Sequence, residues 1–136
     1  MTVSYDDPDP EGLAELLGRL IEQNLKRDPA RFRLLRRPSV VAIEAIDAEV
    51  GATIRIRSGA VALSMRPDPG APVRIRADGH LLFEMVAAPT RLGLPDPTSR
   101  DGRAIIAAIV RGRIRVHGLL TRFPAIRRLT MLLTAN

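Results

Sequence analysis

At Ser39 the spacing of apolar residues changes from helical to strictly alternating, and this change decides the fold class. Before it, Leu13, Leu16, Leu17, Leu20, Ile21 and Leu25 recur three and four apart, which is one apolar stripe of a helix. After it, Val41, Ile43 and Ala45 alternate with Ala42, Glu44 and Ile46. Ile54 and Ile56 alternate with Thr53, Arg55 and Arg57, and Val61, Leu63 and Met65 with Ala62, Ser64 and Arg66. Val73 and Ile75 alternate with Arg74 and Arg76. A period of two places successive side chains on opposite faces, so each run reads as a half-buried strand. Ser58-Gly59 is a tight-turn dipeptide and predicts a hairpin between its flanking strands, whereas Pro67–Gly70 reads as a loop. The expectation is a four-strand meander with one apolar face.

Helix punctuation surrounds these strands. Residues 1–9 are acidic and Pro-rich and predict a flexible tail, leaving 10–136 as a single domain. Asp9-Pro10 supplies a helix start, and Asp28-Pro29 starts a second, short helix to about Leu35, whose Arg31, Arg33, Arg36 and Arg37 read as solvated. Asp78 can cap a helix through Leu81, Leu82, Met85 and Val86. Residues 89–99 hold three prolines and a glycine and predict an irregular loop, a candidate lid or rim. Ser99 can cap the next helix, with Ile105, Ile106, Ile109 and Val110 facing inward, and Gly112 can end it. Gly112–Gly118 then reads as a strand with Ile114 and Val116 inward and Arg113, Arg115 and His117 outward. A final helix spans about Thr121–Leu133. Strands run together and helices flank them, so the expected class is α+β.

The residue inventory disfavours catalysis. There is no cysteine, and the only histidines are His80 and His117, which fit no metal-ligand spacing. No Gly-rich phosphate loop or nucleophile elbow occurs, so the chain reads as a non-enzyme without cofactor or metal. The longest apolar run, Ala104–Val110, has seven residues, and the N-terminus lacks the basic-then-apolar order of a leader, so the expected location is cytoplasmic. The 21 basic side chains are 20 arginines and one lysine. They are unevenly placed: residues 1–50 carry 7 basic and 10 acidic groups, residues 51–136 carry 14 and 5. That favours an acidic partner, but aromatics are 3% of the chain and Trp is absent, which counts against nucleic acid.

The apolar inventory is aliphatic and Met-rich with few polar handles. Walls of this kind either pack on themselves as a filled core or enclose a lipid-like ligand, and periodicity does not separate the two.

The C-terminal half carries a further signal. AIIAAIVRGRIRVHGLL (104–120) runs from an apolar helix through a Gly-bracketed basic strand towards a leucine-rich terminal helix. Upstream stands RIRSGAVALSMRPDPGAPVRIRAD (55–78), followed by a leucine-containing helix. This order, over roughly residues 39–134, resembles the sterol carrier protein type 2 (sterol-binding) domain family. The resemblance implies a mainly antiparallel five-stranded sheet covered on one face by helices, with an apolar tunnel between the layers. It also implies binding, and in some cases transfer, of a lipid, sterol or fatty acyl ligand without catalysis. The tunnel wall would then be Ile54, Ile56, Leu63, Met65, Leu82, Met85, Ile106, Ile109, Ile114 and Val116, with Phe123, Ile126, Leu129 and Leu132 as the cover. The alternatives are a structural or protein-interaction module with a filled core, or an accessory domain using its basic face. That face carries Arg55, Arg57, Arg74, Arg76, Arg113 and Arg115. Like charges on neighbouring strands repel, so acids such as Glu44 must pair with them, or an anionic surface such as a membrane must cover them.

Overall fold

The computed structural model describes residues 2–87, 90–91 and 94–133. Helix α1 (Gly12–Arg27) buries Ala14, Leu17, Gly18, Ile21, Asn24 and Leu25, a single stripe at helical spacing. A 3-10 helix (Pro29–Leu35) follows. Strands β2 (Ser39–Ala45), β3 (Val50–Arg57), β4 (Ala60–Ser64) and β5 (Val73–Ala77) occupy the alternating region. Then come α2 (Gly79–Ala87), two-residue strands β6 (Thr90–Arg91) and β7 (Leu94–Pro95), α3 (Arg100–Val110), β8 (Ile114–His117) and α4 (Phe123–Leu133). Part of the expected 89–99 loop is therefore a β6–β7 ladder, while 88–89 and 92–93 lie outside the described residues.

The α+β class holds, but the sheet differs from the expectation in two respects. It has six strands, not five, in the order β1-β4-β3-β2-β5-β8, with β1 at Val3–Tyr5. The segment expected as a frayed tail supplies this sixth strand. It pairs in parallel with β4, and its acids continue the attachment: the Asp6 N–H donates to the Leu63 carbonyl, and the Asp7 carboxylate accepts from the Met65 N–H at 2.8 Å. Asp9-Pro10 falls in the link that follows, so α1 begins at Gly12, where the Glu11 side chain makes no capping bond.

The second difference is in strand order. β2–β3 and β3–β4 are antiparallel hairpins, the latter closed by Ser58 and Gly59 at φ 51° and 79°, the paired left-handed conformation of a two-residue turn. β5 does not continue the meander beside β4. The chain crosses the outward face of the sheet through residues 65–72 and re-enters beside β2, in parallel. Thr53 holds the crossing in place. Its hydroxyl donates to the Arg66 carbonyl at 2.6 Å and accepts from the Asp68 N–H at 2.9 Å. Thr53 is thereby fully buried on the face that should meet water. β8 adds antiparallel to β5 and completes the far edge.

Two helix ends match their sequence signals. The Ser99 hydroxyl accepts from the Gly102 N–H at 2.9 Å and caps α3. At the other end Gly112, at φ 77°, donates to the Ile109 carbonyl and Arg113 donates to Ala108, the bond pair of a helix ended by a left-handed glycine. The helices cover the inward face of the sheet, where α1 packs on β3, β4 and α4. Arg31, expected in solvent, is buried beside Asp28, 3.4 Å away. No helix among the described residues is long and apolar enough to cross a membrane.

α1 and α4 are joined by one buried amide. Asn24 donates from Nδ2 to the carbonyls of Leu132 and Leu133 at 2.9 and 3.0 Å, and its Oδ1 accepts from Arg27 at 2.9 Å. The last carbonyls of a helix have no partner within it, so Asn24 serves as the missing cap. Asn24→Leu keeps the volume and strands two buried acceptors. Urea unfolding should show a loss of about 2–3 kcal/mol, and a change below about 0.5 kcal/mol would mean that the amide does not hold α4 in place.

Candidate functional site

The strand register places the inward residues in rows. Val41 stands between Ile54 and Val73, Ile54 is followed by Leu63, and Ile56 by Val61. Towards the other edge Ile75 pairs with Val116 and Ala77 with Ile114. The strand residues expected on the inward face are there apart from Met65, which falls just past the end of β4, but they do not share one environment. Ile54, Ile56 and Leu63 lie with Leu129 and Leu132 of α4 in a closed cluster together with Ile21 and Leu25 of α1. Ile114 and Leu82 are buried members of the same cluster. Met85, Ile109, Val116 and Ile126 pack against the cluster yet stay partly exposed. Met65 is also half-buried, but it lies near the β1 edge, where its sulfur accepts from the Glu11 N–H. The fourteen expected wall and cover residues thus divide into a buried set and a set that keeps contact with water, the latter spread over α2, α3, β8, the first turns of α4 and the β1 edge.

The orientation of α3 explains part of this exposure. Its apolar residues cover a wide arc, and the expected inward set was Ile105, Ile106, Ile109 and Val110. Of these the structure buries Ile105 and half-buries Ile109, and it adds Gly102 and Ala108 to the buried face. Gly102 abuts the Asp96 backbone with no room for a Cβ, so the smallest residues make the closest approach. Ile106 and Val110 are turned outward, Val110 to 81% exposure. On α2, Phe83 is 67% exposed although the helix is apolar nearly all round, a composition that normally accompanies burial. Phe123, expected in the cover, is also exposed. Ile106, Ala107 and Val110 form, with Pro97, a shallow groove of about 490 Å³ flanked by Arg103 and Arg111.

The basic face is less free than the sequence implied. Arg55 lies 3.5 Å from Asp6 and 3.4 Å from Asp68. Arg76 faces Glu44 across the β2–β5 ladder at 3.6 Å, the pairing expected for Glu44. Arg74 donates to the Pro69 carbonyl at 2.6 Å. Exposed pairs of this kind contribute at most about 1 kcal/mol each, but they occupy the guanidinium groups. Arg57, Arg113 and Arg115 remain exposed. Sequence periodicity did not reveal Asp6 and Asp68 as partners because they reach the face through β1 and the crossing segment. His80 and His117 are exposed, and no cluster of metal-ligating side chains occurs among the described residues. Burial and the nearby Glu22 and Glu15 raise the pKa of the Tyr5 phenol, at the sheet edge opposite β8.

No protein-family model matches the chain, and no curated protein matches it in sequence. Solved structures match its fold. UbiJ-SCP2, a ubiquinone synthesis protein, gives a TM-score of 0.59 at 16% identity over 88% of this chain and 90% of its own. A crystal structure of sterol carrier protein 2 gives 0.51 at 15% identity over 85% and 88%. The sec-alkylsulfatase Pisa1 from Pseudomonas sp. gives 0.54 at 13% identity, covering 93% of this chain but 17% of the sulfatase. The chain therefore has a sterol carrier protein 2-like fold.

The division of the wall predicts unequal truncation costs. Ile54→Ala should cost about 3–4 kcal/mol of unfolding free energy, as for an enclosed site that cannot collapse. Ile109→Ala should cost only about 1 kcal/mol, since its side chain keeps part of its contact with water. Equal costs by chemical denaturation would mean that both parts are equally closed.

Proposed function

We propose, on the premise of the sterol carrier protein 2-like fold, that this chain is a non-catalytic module that binds one lipid-like apolar ligand. The ligand lies between the β5–β8 edge of the sheet and the α2–α3 pair. The observation that carries this reading is the partial burial of Met85, Ile109 and Val116 beside a fully packed core. A second layer of aliphatic residues that is packed on the core yet still wet is where an acyl chain gains most by displacing water. Met85 and Ile109 offer no hydrogen-bonding side chain, so selection rests on shape and apolar area.

Several hydroxyls serve the backbone and both histidines are exposed, which supports a binding role over a catalytic one. Ser99 caps α3, Thr53 anchors the crossing segment, and Thr130 bonds the Ile126 carbonyl. His117 lies on the outward face of β8 and His80 at the exposed start of α2. Transient contact with an anionic membrane fits the α3 surface better than the sheet face. Exposed Ile106 and Val110 stand there between Arg103 and Arg111, whereas Arg55, Arg74 and Arg76 are already engaged.

The test uses vesicles of phosphatidylglycerol loaded with a radiolabelled long-chain fatty acid. After the vesicles are pelleted, wild-type protein should hold label in the supernatant. Ile109→Glu, placed at a half-buried position that tolerates a polar group, should keep the native circular dichroism and carry about tenfold less label, the effect of losing about 1.4 kcal/mol of binding. Label carried equally by both proteins, or by neither, would leave a filled-core interaction module as the correct reading.

A further inference from the structure

A cleft of about 360 Å³ opens at the other end of β5, where the first residues of β2 and β5 meet the start of α4. It shares no lining residue with the α3 groove. Arg37, Arg122 and Arg128 border it together with the hydroxyl residues Ser39 and Thr121, and no carboxylate is among its lining residues. The remaining wall is proline, valine and alanine.

Three features of this cleft are unfavourable in isolation. Among the described residues none of the three guanidinium groups is in an ion pair, although Arg19, Arg31, Arg55 and Arg76 are. Arg128 is half-buried, and its Nε is closed off from water with no acceptor. A buried donor without a partner is uncommon because its desolvation goes uncompensated. Arg122 directly precedes α4, whose first turn holds no acidic residue, so positive charge gathers at the positive end of a helix dipole. One dianion in the cleft compensates the unpaired guanidinium charge and the helix terminus, and it can pair with Arg128 through the outer nitrogens of its guanidinium group.

We propose that this cleft binds a phosphate group, carried either as free inorganic phosphate or on a lipid headgroup. Guanidinium groups bind phosphate in bidentate fashion, and three of them around one cleft suit a tetrahedral oxyanion better than a single flat carboxylate. The apolar wall strengthens these contacts by lowering the local dielectric. The site stands independently of the lipid-binding reading, because it involves other residues at the opposite end of the strand.

The test is calorimetric titration of the full chain with inorganic phosphate and, separately, with a short-chain phosphatidic acid below its micelle concentration. Saturable binding should weaken as salt rises, and Arg122→Gln/Arg128→Gln should lower affinity about tenfold or more. Arg57→Gln/Arg115→Gln removes the same charge from the sheet face and should leave binding unchanged. Arg37→Gln, at an exposed position, gives a second reading should the first pair of changes disturb folding. Equal affinity for the two titrants assigns the site to free phosphate, and much tighter lipid binding assigns it to a headgroup. Binding of neither titrant, or equal loss in the sheet-face variant, overturns the proposal.

Discussion

A sheet with one apolar face must be roofed, and in this chain the roof comes from both ends of the sequence. α1 packs over β3 and β4 and against α4, and Asn24 closes the contact between the two helices by satisfying the final carbonyls of α4. Burying a helix end without such a partner would leave carbonyls desolvated and unpaired. The closed cluster around Ile21, Ile54, Leu63 and Leu132 depends on this contact, since it lies beneath both helices. The opposite face is protected by different means. The 65–72 crossing segment covers Thr53, and Asp6 and Asp68 neutralise Arg55.

The same constraint accounts for where the fold stays open. α1 packs on β1, β3 and β4, which leaves α2 and α3 for the opposite side, where α3 packs on β8. α3 approaches through Gly102 and Ala108, and its larger residues Ile106 and Val110 are left outside. A helix seated on small residues forms fewer side-chain contacts and opens at lower free energy than one seated on leucines. The proposed binding thus draws on residues other than those that close the core.

Much of this was legible in the sequence, and the parts that were not share a physical reason. Period-two alternation gave the large inward residues of β2, β3, β4, β5 and β8, because the pleat ties sequence parity to sheet face. Ser58-Gly59, Ser99 and Gly112 marked their turn and helix ends because each satisfies a local backbone requirement. Alternation names a face and not a neighbour, so the return of β5 to β2 in place of β4 carried no local signal. The three residues of β1 are too few to show a period, and the acids that follow them suggested solvent. The α3 face was misjudged because its isoleucines span too wide an arc, and the small residues that set the approach carry no hydropathy signal. The Arg37, Arg122 and Arg128 cleft was invisible for a related reason: it is assembled from three segments distant in sequence.

The central claim is that an apolar ligand enters beneath α2 and α3 while the core under α1 and α4 stays closed. Methyl-resolved NMR during titration with a long-chain fatty acid tests it most directly. Shifts concentrated on Met85, Ile109 and Val116, with Ile54 and Leu63 unmoved, are the expected result. Shifts centred on Ile54 and Leu63, or a spectrum unchanged at saturating ligand, would contradict it.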